Sequence, residues 1–344
     1  MAKSGSRSAP LSPRVLALLP KVEENAVDYY RIVSAFDVLG DRGYPVQYMP
    51  YLVARQLALM GQLYPEQYDI FILCRAAVDA EDQRLLQFIE TLHAAGKKLI
   101  YETDDDYTNV HRKATEGDAI LVVQMCDAIT TTTPYLGKVL SQHSEHVYVL
   151  PNALNFGIWD EVESARQDGQ VTIALAGTGT HFEDWKLVEG ALYGLAATCG
   201  DRIRFLLMGY KPYYLEDLPN MTFINPLPYP TYAKTLGQVD IGLCPLVPDD
   251  QFNLAKTAVK ALEFMAAGVA VVAQDMPVYR RVVANKSNGL LASGDWYEKI
   301  LLLVEDAKLR RRLARSGWRW ARKHRDIRTH ARKWWRVYEE VYRL

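Results

Sequence analysis

Lysines, acids and glycines gather at a few places in the chain, and the richest is IGLCPLVPDDQFNLAKTAVKALEFMAAGVAVVAQDMPVYRRVV, residues 241–283. Its first apolar run ends at Pro245 and a polar loop follows. The spacing predicts a helix starting near Asn253, a residue type that caps helix N-termini well. Lys256 then falls in the first turn, where a cation opposes the helix dipole by about 0.3–1 kcal/mol. An anion bound at that helix end accounts for it, because free backbone N–H groups and the ammonium converge there. On one continuous helix Lys256, Lys260 and Glu263 lie within about 60° of one another. Two cations and one carboxylate therefore share a stripe. The plainer alternative is a solvated face held by a Lys260–Glu263 pair at i, i+3.

A second cluster is AGTGTHFEDW, residues 176–185. Gly177 and Gly179, flanked by Thr178 and Thr180, permit close backbone approach to a phosphate. The dinucleotide fingerprint G-x-G-x-x-G is not met, since position 182 is Phe. His181 and Asp184 follow, either as site residues or as a surface histidine and a helix cap. A third cluster is KKLIYETDDDYTNV, where Asp104 and Asp105 fall at the end of an expected strand. That is where open α/β sheets carry functional groups. Adjacent carboxylates repel, which raises the pKa of one of them. The alternative is an acidic cluster favoured by a helix N-terminus. Arg31, in VDYYRIVSAFDVL, and Arg75, in ILCRAA, fall near other strand ends, either as site residues or as members of buried structural ion pairs. Gly209 and Lys211 fall at a strand end in LLMGYKP.

The elements that must position these residues follow from the apolar pattern. Short runs of Val, Ile and Leu predict strands over 14–20, 44–50, 69–75, 97–103, 128–133 and 147–151. A second series is expected over 171–177, 202–209, 221–225, 241–246, 269–273 and 289–292. Amphipathic helical stretches separate most of them, for instance residues 81–95 and 134–142. Continuous apolar strands alternating with helices imply parallel sheets covered on both faces. Two such series in tandem predict two doubly wound domains, with ligands at the carboxyl ends of strands and the cleft between the domains as the site.

The expected division is a lead-in over 1–13, a first domain over 14–152 and a polar linker over 153–170. A second domain covers 171–325 and a terminal helix 326–344. Of the 344 residues 49% are hydrophobic and 24% charged, the profile of a folded globular protein. The net charge of −1 argues against a chain-wide field for nucleic acid. Cys74, Cys126, Cys199 and Cys244 lie far apart with no metal-ligand spacing, and read as reduced thiols of a cytoplasmic protein. No apolar run approaches the ~18 residues of a spanning helix, and the N-terminus has no apolar core of a signal peptide.

The order Lys260-Ala-Leu-Glu263-Phe-Met-Ala-Ala-Gly268-Val-Ala-Val-Val-Ala resembles the K-x-x-E-x-M-A-x-G-x-P-V-V-A signature of retaining glycosyltransferases of the family 4, or group 1, type. The resemblance implies the GT-B fold and transfer of a sugar from a nucleotide-sugar, a UDP- or GDP-sugar, to an acceptor hydroxyl with retained configuration. It gives Glu263 the ribose hydroxyls and the nearby helix N-terminus, with Asn253, Lys256 and Lys260, the diphosphate. The loop Gly177–Asp184 is similar to the G-x-x-x-H-x-x-D loop of a subset of these enzymes, which brings His181 and Asp184 to the site. Gly209 and Lys211 then lie beside the base. Arg31 and Arg75 match elements of the acceptor side, and Asp104 or Asp105 would contact an acceptor hydroxyl or steady charge on the sugar carbon. The family needs no metal or other cofactor. An acidic metal motif of the GT-A kind is the less favoured reading of the aspartates.

The family often carries a glutamate eight positions before Glu263, where this chain has Ala255, and a proline at Ala270. Two rival readings follow: a weakly catalytic or non-catalytic nucleotide-sugar-binding subunit, and a sugar-nucleotide epimerase of the same fold.

The last segment is different in kind. From Lys308 to Arg343 there are 14 Lys or Arg against three acids, a net +11, interleaved with Trp318, Trp320, Trp334, Trp335, Tyr338 and Tyr342. Aromatics at helical spacing predict packing against the first domain. Contact with an anionic membrane at its inner face is the second expectation, and nucleic acid the third.

Overall fold

The computed structural model describes residues 12–20, 26–75, 83–106, 116–163 and 169–344. The chain divides into two compact units. The first holds residues 1–23, 32–150 and 331–344, and the second holds 24–31 and 151–330.

The first unit is built on six strands: β1 Val15–Leu19, β2 Val46–Pro50, β3 Ile70–Cys74, β4 Lys98–Glu102, β5 Ala128–Thr131 and β6 Val147–Val149. They form one sheet in the order β2-β1-β3-β4-β5-β6, and every pairing is parallel. β1 and β3 are buried along their whole length, which is why both read as unbroken apolar runs. The register sets Cys74 against Glu102, so the segments after β3 and β4 leave the sheet side by side.

The second unit carries β7 Val171–Ala176, β8 Ile203–Met208, β9 Met221–Ile224, β10 Ile241–Cys244, β11 Ala270–Gln274 and β12 Leu290–Ala292. Their order is β12-β11-β10-β7-β8-β9, again all parallel. Counted from β7, this is the doubly wound order 3-2-1-4-5-6, with its reversal point between β7 and β10. Alternate residues feed cores on opposite faces. Ile173 and Leu175 pack with Phe205 and Leu207 on one side; Ala174 and Ala176 pack with Leu206 and Met208 on the other. Gly242 is required by this packing, since a Cβ there would lie 2.3 Å from Phe264 Cγ.

All twelve expected strands are present, eleven of them trimmed at one or both ends and β11 shifted by one residue. The helix expected over 134–142 is Pro134–Leu140, capped by Thr133, whose hydroxyl accepts from the Leu136 amide at 3.1 Å. That expected over 81–95 is Gln83–Ala94 among the described residues. Residues 21–25 and 76–77 lie outside the described residues, as does most of the lead-in.

The stretch expected as a polar linker carries structure over its described part. Leu154, Phe156 and Trp159 are buried, the last two in the helix Phe156–Trp159. The Leu154 amide donates to the Arg325 carbonyl at 2.7 Å, and the Ile327 amide donates back to the Leu154 carbonyl at 2.9 Å.

The terminal helix, Ile327–Tyr342, begins in the second unit and ends in the first. Trp334, Trp335, Tyr338 and Val341 are buried. Tyr338 meets Phe36 edge-on with centroids 6.0 Å apart, and Trp335 lies 4.6 Å from Tyr44. Packing against the first unit is therefore what these aromatics do. The four cysteines are free and buried. Among the described residues no helix is long and apolar enough to cross a membrane.

Candidate functional site

The reversal point of the second sheet brings two loops together, one after β7 and one after β10. After β7, the Gly177 amide donates to the Met208 carbonyl at 3.0 Å. Gly209, at the end of β8, has φ +85°, and a Cβ there would lie 2.5 Å from the Gly177 carbonyl oxygen. Glycine is required at 209 both by conformation and by space. At 177 a Cβ would lie 2.7 Å from His181 Cδ2, so the histidine ring occupies the space a side chain would need. Gly179 faces Tyr210, and the hydroxyls of Thr178 and Thr180 lie 2.8 Å apart on the exposed rim.

His181 Nδ1 lies 2.8 Å from Asp184 Oδ2. Asp184 opens the helix Phe182–Cys199, yet its carboxylate does not cap that helix. Its other oxygen accepts from the Val247 amide and from Asn253 Nδ2, both at 2.8 Å, and so ties the loop after β7 to the loop after β10. Asp184 is 3% exposed. Burial pushes its pKa up, but the hydrogen bonds from His181, Val247 and Asn253 outweigh this and hold it below the usual carboxylate value. His181 is held below its ordinary value, first by burial and further by the nearby charges of Lys256 and Lys260, against the pull of Asp184. A neutral imidazole donating Nδ1–H to an ionised carboxylate leaves Nε2 with a lone pair.

The loop after β10 departs from expectation. Asp250, not Asn253, is the cap: its Oδ1 accepts from the Phe252 amide at 2.8 Å and the Asn253 amide at 3.3 Å. The Asn253 side chain is turned instead to Asp184 and the Val247 carbonyl. The resulting helix, Gln251–Ala255, stops at Lys256, whose ψ of 164° is extended, and a second helix, Val259–Ala266, follows. The continuous stripe of Lys256, Lys260 and Glu263 is therefore corrected. Lys256 lies at the break with its ammonium 4.7 Å above the Phe252 ring. The other two keep their i, i+3 relation on the second helix, with Lys260 Nζ 3.0 Å from Glu263 Oε2.

Glu263 is fully buried. Besides Lys260, it accepts from the Tyr232 hydroxyl at 2.9 Å and from the Tyr30 hydroxyl. Burial and the carboxylate together raise the pKa of both tyrosines far above the usual phenol value, which keeps them donors. Tyr229 lies edge-on to Tyr30 and stacks with Tyr29, centroids 4.6 Å apart. The sequence alone singled out neither Tyr232 nor the hydroxyl of Tyr30 as a partner of Glu263.

The remaining expected residues are placed as follows. Arg31 is buried in the second unit, its Nη1 donating to Asn152 Oδ1 at 3.0 Å; Asn152 in turn donates to Thr257 at 3.2 Å. Arg75 and Asp104 are in the first unit, where Arg75 Nε is 3.6 Å from Asp104 Oδ1. Arg75 has φ +43°, a conformation rare for a side-chain-bearing residue, and its amide donates to the Glu102 carbonyl at 2.8 Å. Asp105 is half-buried, with its carbonyl accepting from the Thr103 hydroxyl at 2.7 Å. Lys211 pairs with Glu216 at 3.5 Å. Among the described residues no group of three or more His, Cys, Asp or Glu is placed to hold a metal.

Two doubly wound parallel sheets and a terminal helix shared between the units define the GT-B class, and comparison with known proteins agrees. The family described as "Glycosyl transferases group 1" matches residues 170–306, the span that holds the glycine loop, His181, Asp184, Asn253, Lys260 and Glu263. That segment of the second unit is similar to the group 1 glycosyltransferases. Among solved structures, HepE of Anabaena in complex with UDP and glucose superposes with a TM-score of 0.67 at 12% identity, over 95% of this chain and 100% of that one. Sucrose-phosphate synthase from Thermosynechococcus elongatus gives 0.66 at 12% identity, covering 96% and 99%. The pneumococcal O-GlcNAc transferase GtfA, in complex with UDP and GlcNAc, gives 0.60 at 14%, covering 85% and 60%. No curated protein matches the sequence.

Proposed function

We propose that this enzyme takes a UDP- or GDP-sugar as donor and delivers the sugar to an acceptor hydroxyl with retained anomeric configuration. The observation that carries the proposal is the joining of the two switch-point loops through His181, Asp184 and Asn253, next to the Lys260–Glu263 pair. Ligands of doubly wound sheets bind at this point. HepE and GtfA, which share the fold, have UDP in their complexes.

In this reading Glu263 receives the ribose hydroxyls. It is preset for hydroxyl donors, since Tyr30 and Tyr232 already supply two. Entry of the nucleotide exchanges the Tyr30 hydroxyl for one from the sugar. Lys256 and Lys260 neutralise the departing diphosphate, and the glycine loop lets its oxygens approach the backbone. The neutral His181 offers Nε2 as an acceptor for a donor-sugar hydroxyl, while Asp184 fixes the ring. Catalysis is then positioning plus stabilisation of leaving-group charge by fixed cations. Attack and departure on one face, through an oxocarbenium-like species, give retention. Asp104, with Arg75 beside it, serves the acceptor side. The test is the anomeric configuration of the product by NMR: retention is expected, and inversion refutes the mechanism.

One observation favours a second reading, a nucleotide-sugar-binding subunit with little turnover. Ala255, where the family often has an acid, is fully buried and brings no carboxylate to the donor sugar. Donor binding without hydrolysis or transfer would establish it. Interconversion of donor sugars without an acceptor would establish the epimerase instead.

A further inference from the structure

The basic segment divides into two helices with different surroundings. The aromatics of the terminal helix are buried, as described above. The preceding helix, Ala307–Arg325, carries nine Lys or Arg and no acid in its 19 residues. Its inner face is made of Leu313, Ala314, Gly317 and Ala321. Small residues there allow close approach: a Cβ on Gly317 would lie 3.0 Å from Met265 Cγ. The helix is thereby held flat against the sheet of the second unit.

Some of its cations are used within the fold. Arg310 pairs with Asp240, and Arg322 with Asp160. Lys308, Arg311, Arg315 and Arg319 have no ion-pair partner among the described residues, and with Arg312 and Lys323 they are exposed. On an α-helix these six fall within a sector of about 120° and run for about 22 Å along the axis. Five of them, all but Lys323, line an open groove of about 350 Å³ together with Ser316. The stripe is a straight row of cations on a rigid support, in a chain whose remaining charge is net negative.

We propose that this stripe docks the enzyme on the surface of an anionic lipid bilayer. A bilayer offers many mobile phosphates in a plane, which a straight row of guanidinium groups meets without a shaped cavity. Nucleic acid fits less well. Single strands are held by free aromatic faces, and none lies on the stripe. Trp318 stacks with Arg322, and Trp320 with His324 and Arg325. The stripe has no exposed apolar side chain either, so adsorption is electrostatic and shallow rather than by insertion.

The test is co-sedimentation of the full chain with vesicles of phosphatidylcholine containing ~30% phosphatidylserine. Binding is expected at 50 mM salt, with loss of at least tenfold at 500 mM, and none to pure phosphatidylcholine. The variant Arg311→Glu, Arg315→Glu, Arg319→Glu should lose at least tenfold. A matched reversal on the terminal helix, Arg332→Glu, Lys333→Glu, Arg336→Glu, should lose far less. Melting curves of both identify any folding defect, and Arg311→Gln with Arg315→Gln gives a milder second variant that should weaken binding several-fold. The proposal is overturned if the wild type ignores anionic vesicles at 50 mM salt, or if the terminal-helix variant is the one that fails to bind. It is also overturned if a single-stranded oligonucleotide or a soluble inositol phosphate displaces the protein from vesicles at equimolar phosphate.

Discussion

Glu263 is the residue on which most of the site converges, and its neighbours come from distant parts of the chain. Tyr30 lies 233 positions away and Tyr232 lies 31. Replacing Glu263 by Ala strands two buried hydroxyls and one ammonium, at a cost of about 1–3 kcal/mol. It should also abolish stabilisation by nucleotide, measured as the melting shift relative to the variant's own baseline. Tyr30→Phe separates the two roles. It removes one hydrogen bond to a charged group, so the unliganded protein should melt earlier, while nucleotide no longer displaces that bond. Its Kd should fall roughly fivefold, about 1 kcal/mol, by titration calorimetry. A weaker Kd would mean that Tyr30 assists the ligand instead.

The pH dependence is also set by single residues. The folded state keeps His181 neutral more firmly than the unfolded chain does. Its contribution to stability is complete above about pH 6.5 and is lost as pH falls from there through the folded-state value. Asp184 is held ionised below its ordinary value, so its share is complete above about pH 4 and is lost on further acidification. Urea unfolding between pH 7.5 and 5 should show a steeper loss for the wild type than for His181→Gln. Equal slopes would place the titration elsewhere. The bonds of Tyr30 and Tyr232 to Glu263 and of Asn253 to Asp184 could not be read from the sequence, because spacing reports only local neighbours. The types of His181, Asp184, Lys260 and Glu263 could be read, and so could the glycines, because chemistry and backbone freedom are properties of single residues.

Among elements, apolar runs located all twelve described strands; most are buried on both faces, which leaves little alternative pattern, while the edge strands β2, β6 and β9 are partly exposed. What periodicity could not show was the break at Lys256. A helix of five residues and one of eight, joined in register by a short extended link, present the same apolar spacing as one helix. The capping residue decides, and it is Asp250, three positions before the expected Asn253. Asp250→Ala should cost about 1 kcal/mol. Asn253→Ala should cost as much or more and should also free Asp184, with the His181 pKa moving measurably by NMR. Gly177→Ala probes the same loop from the other side. The added methyl meets His181 at 2.7 Å, so about 1–3 kcal/mol of stability and most activity should go together.

At the scale of the molecule, two sheets of the same parallel design are divided between two units, and the last helix supplies residues to both. Tyr338→Ala should cost about 3–5 kcal/mol in the first unit, where its ring meets Phe36. Nucleotide binding by the second unit should persist at temperatures where the first has melted. Calorimetry with and without nucleotide would show two transitions, of which only one moves.

In the proposed function the second unit binds a nucleotide-sugar through Glu263 and the switch-point loops. The most direct test is a thermal-shift screen of UDP, GDP, ADP and their common sugar conjugates against the wild type and Glu263→Ala. At a ligand concentration 100 times Kd the stabilisation is about 2.7 kcal/mol, well within reach of a melting curve. A shift is expected with UDP or GDP and with a conjugate of the same nucleotide, absent in Glu263→Ala. A wild type indifferent to all of them, or a shift that survives in Glu263→Ala, would contradict it.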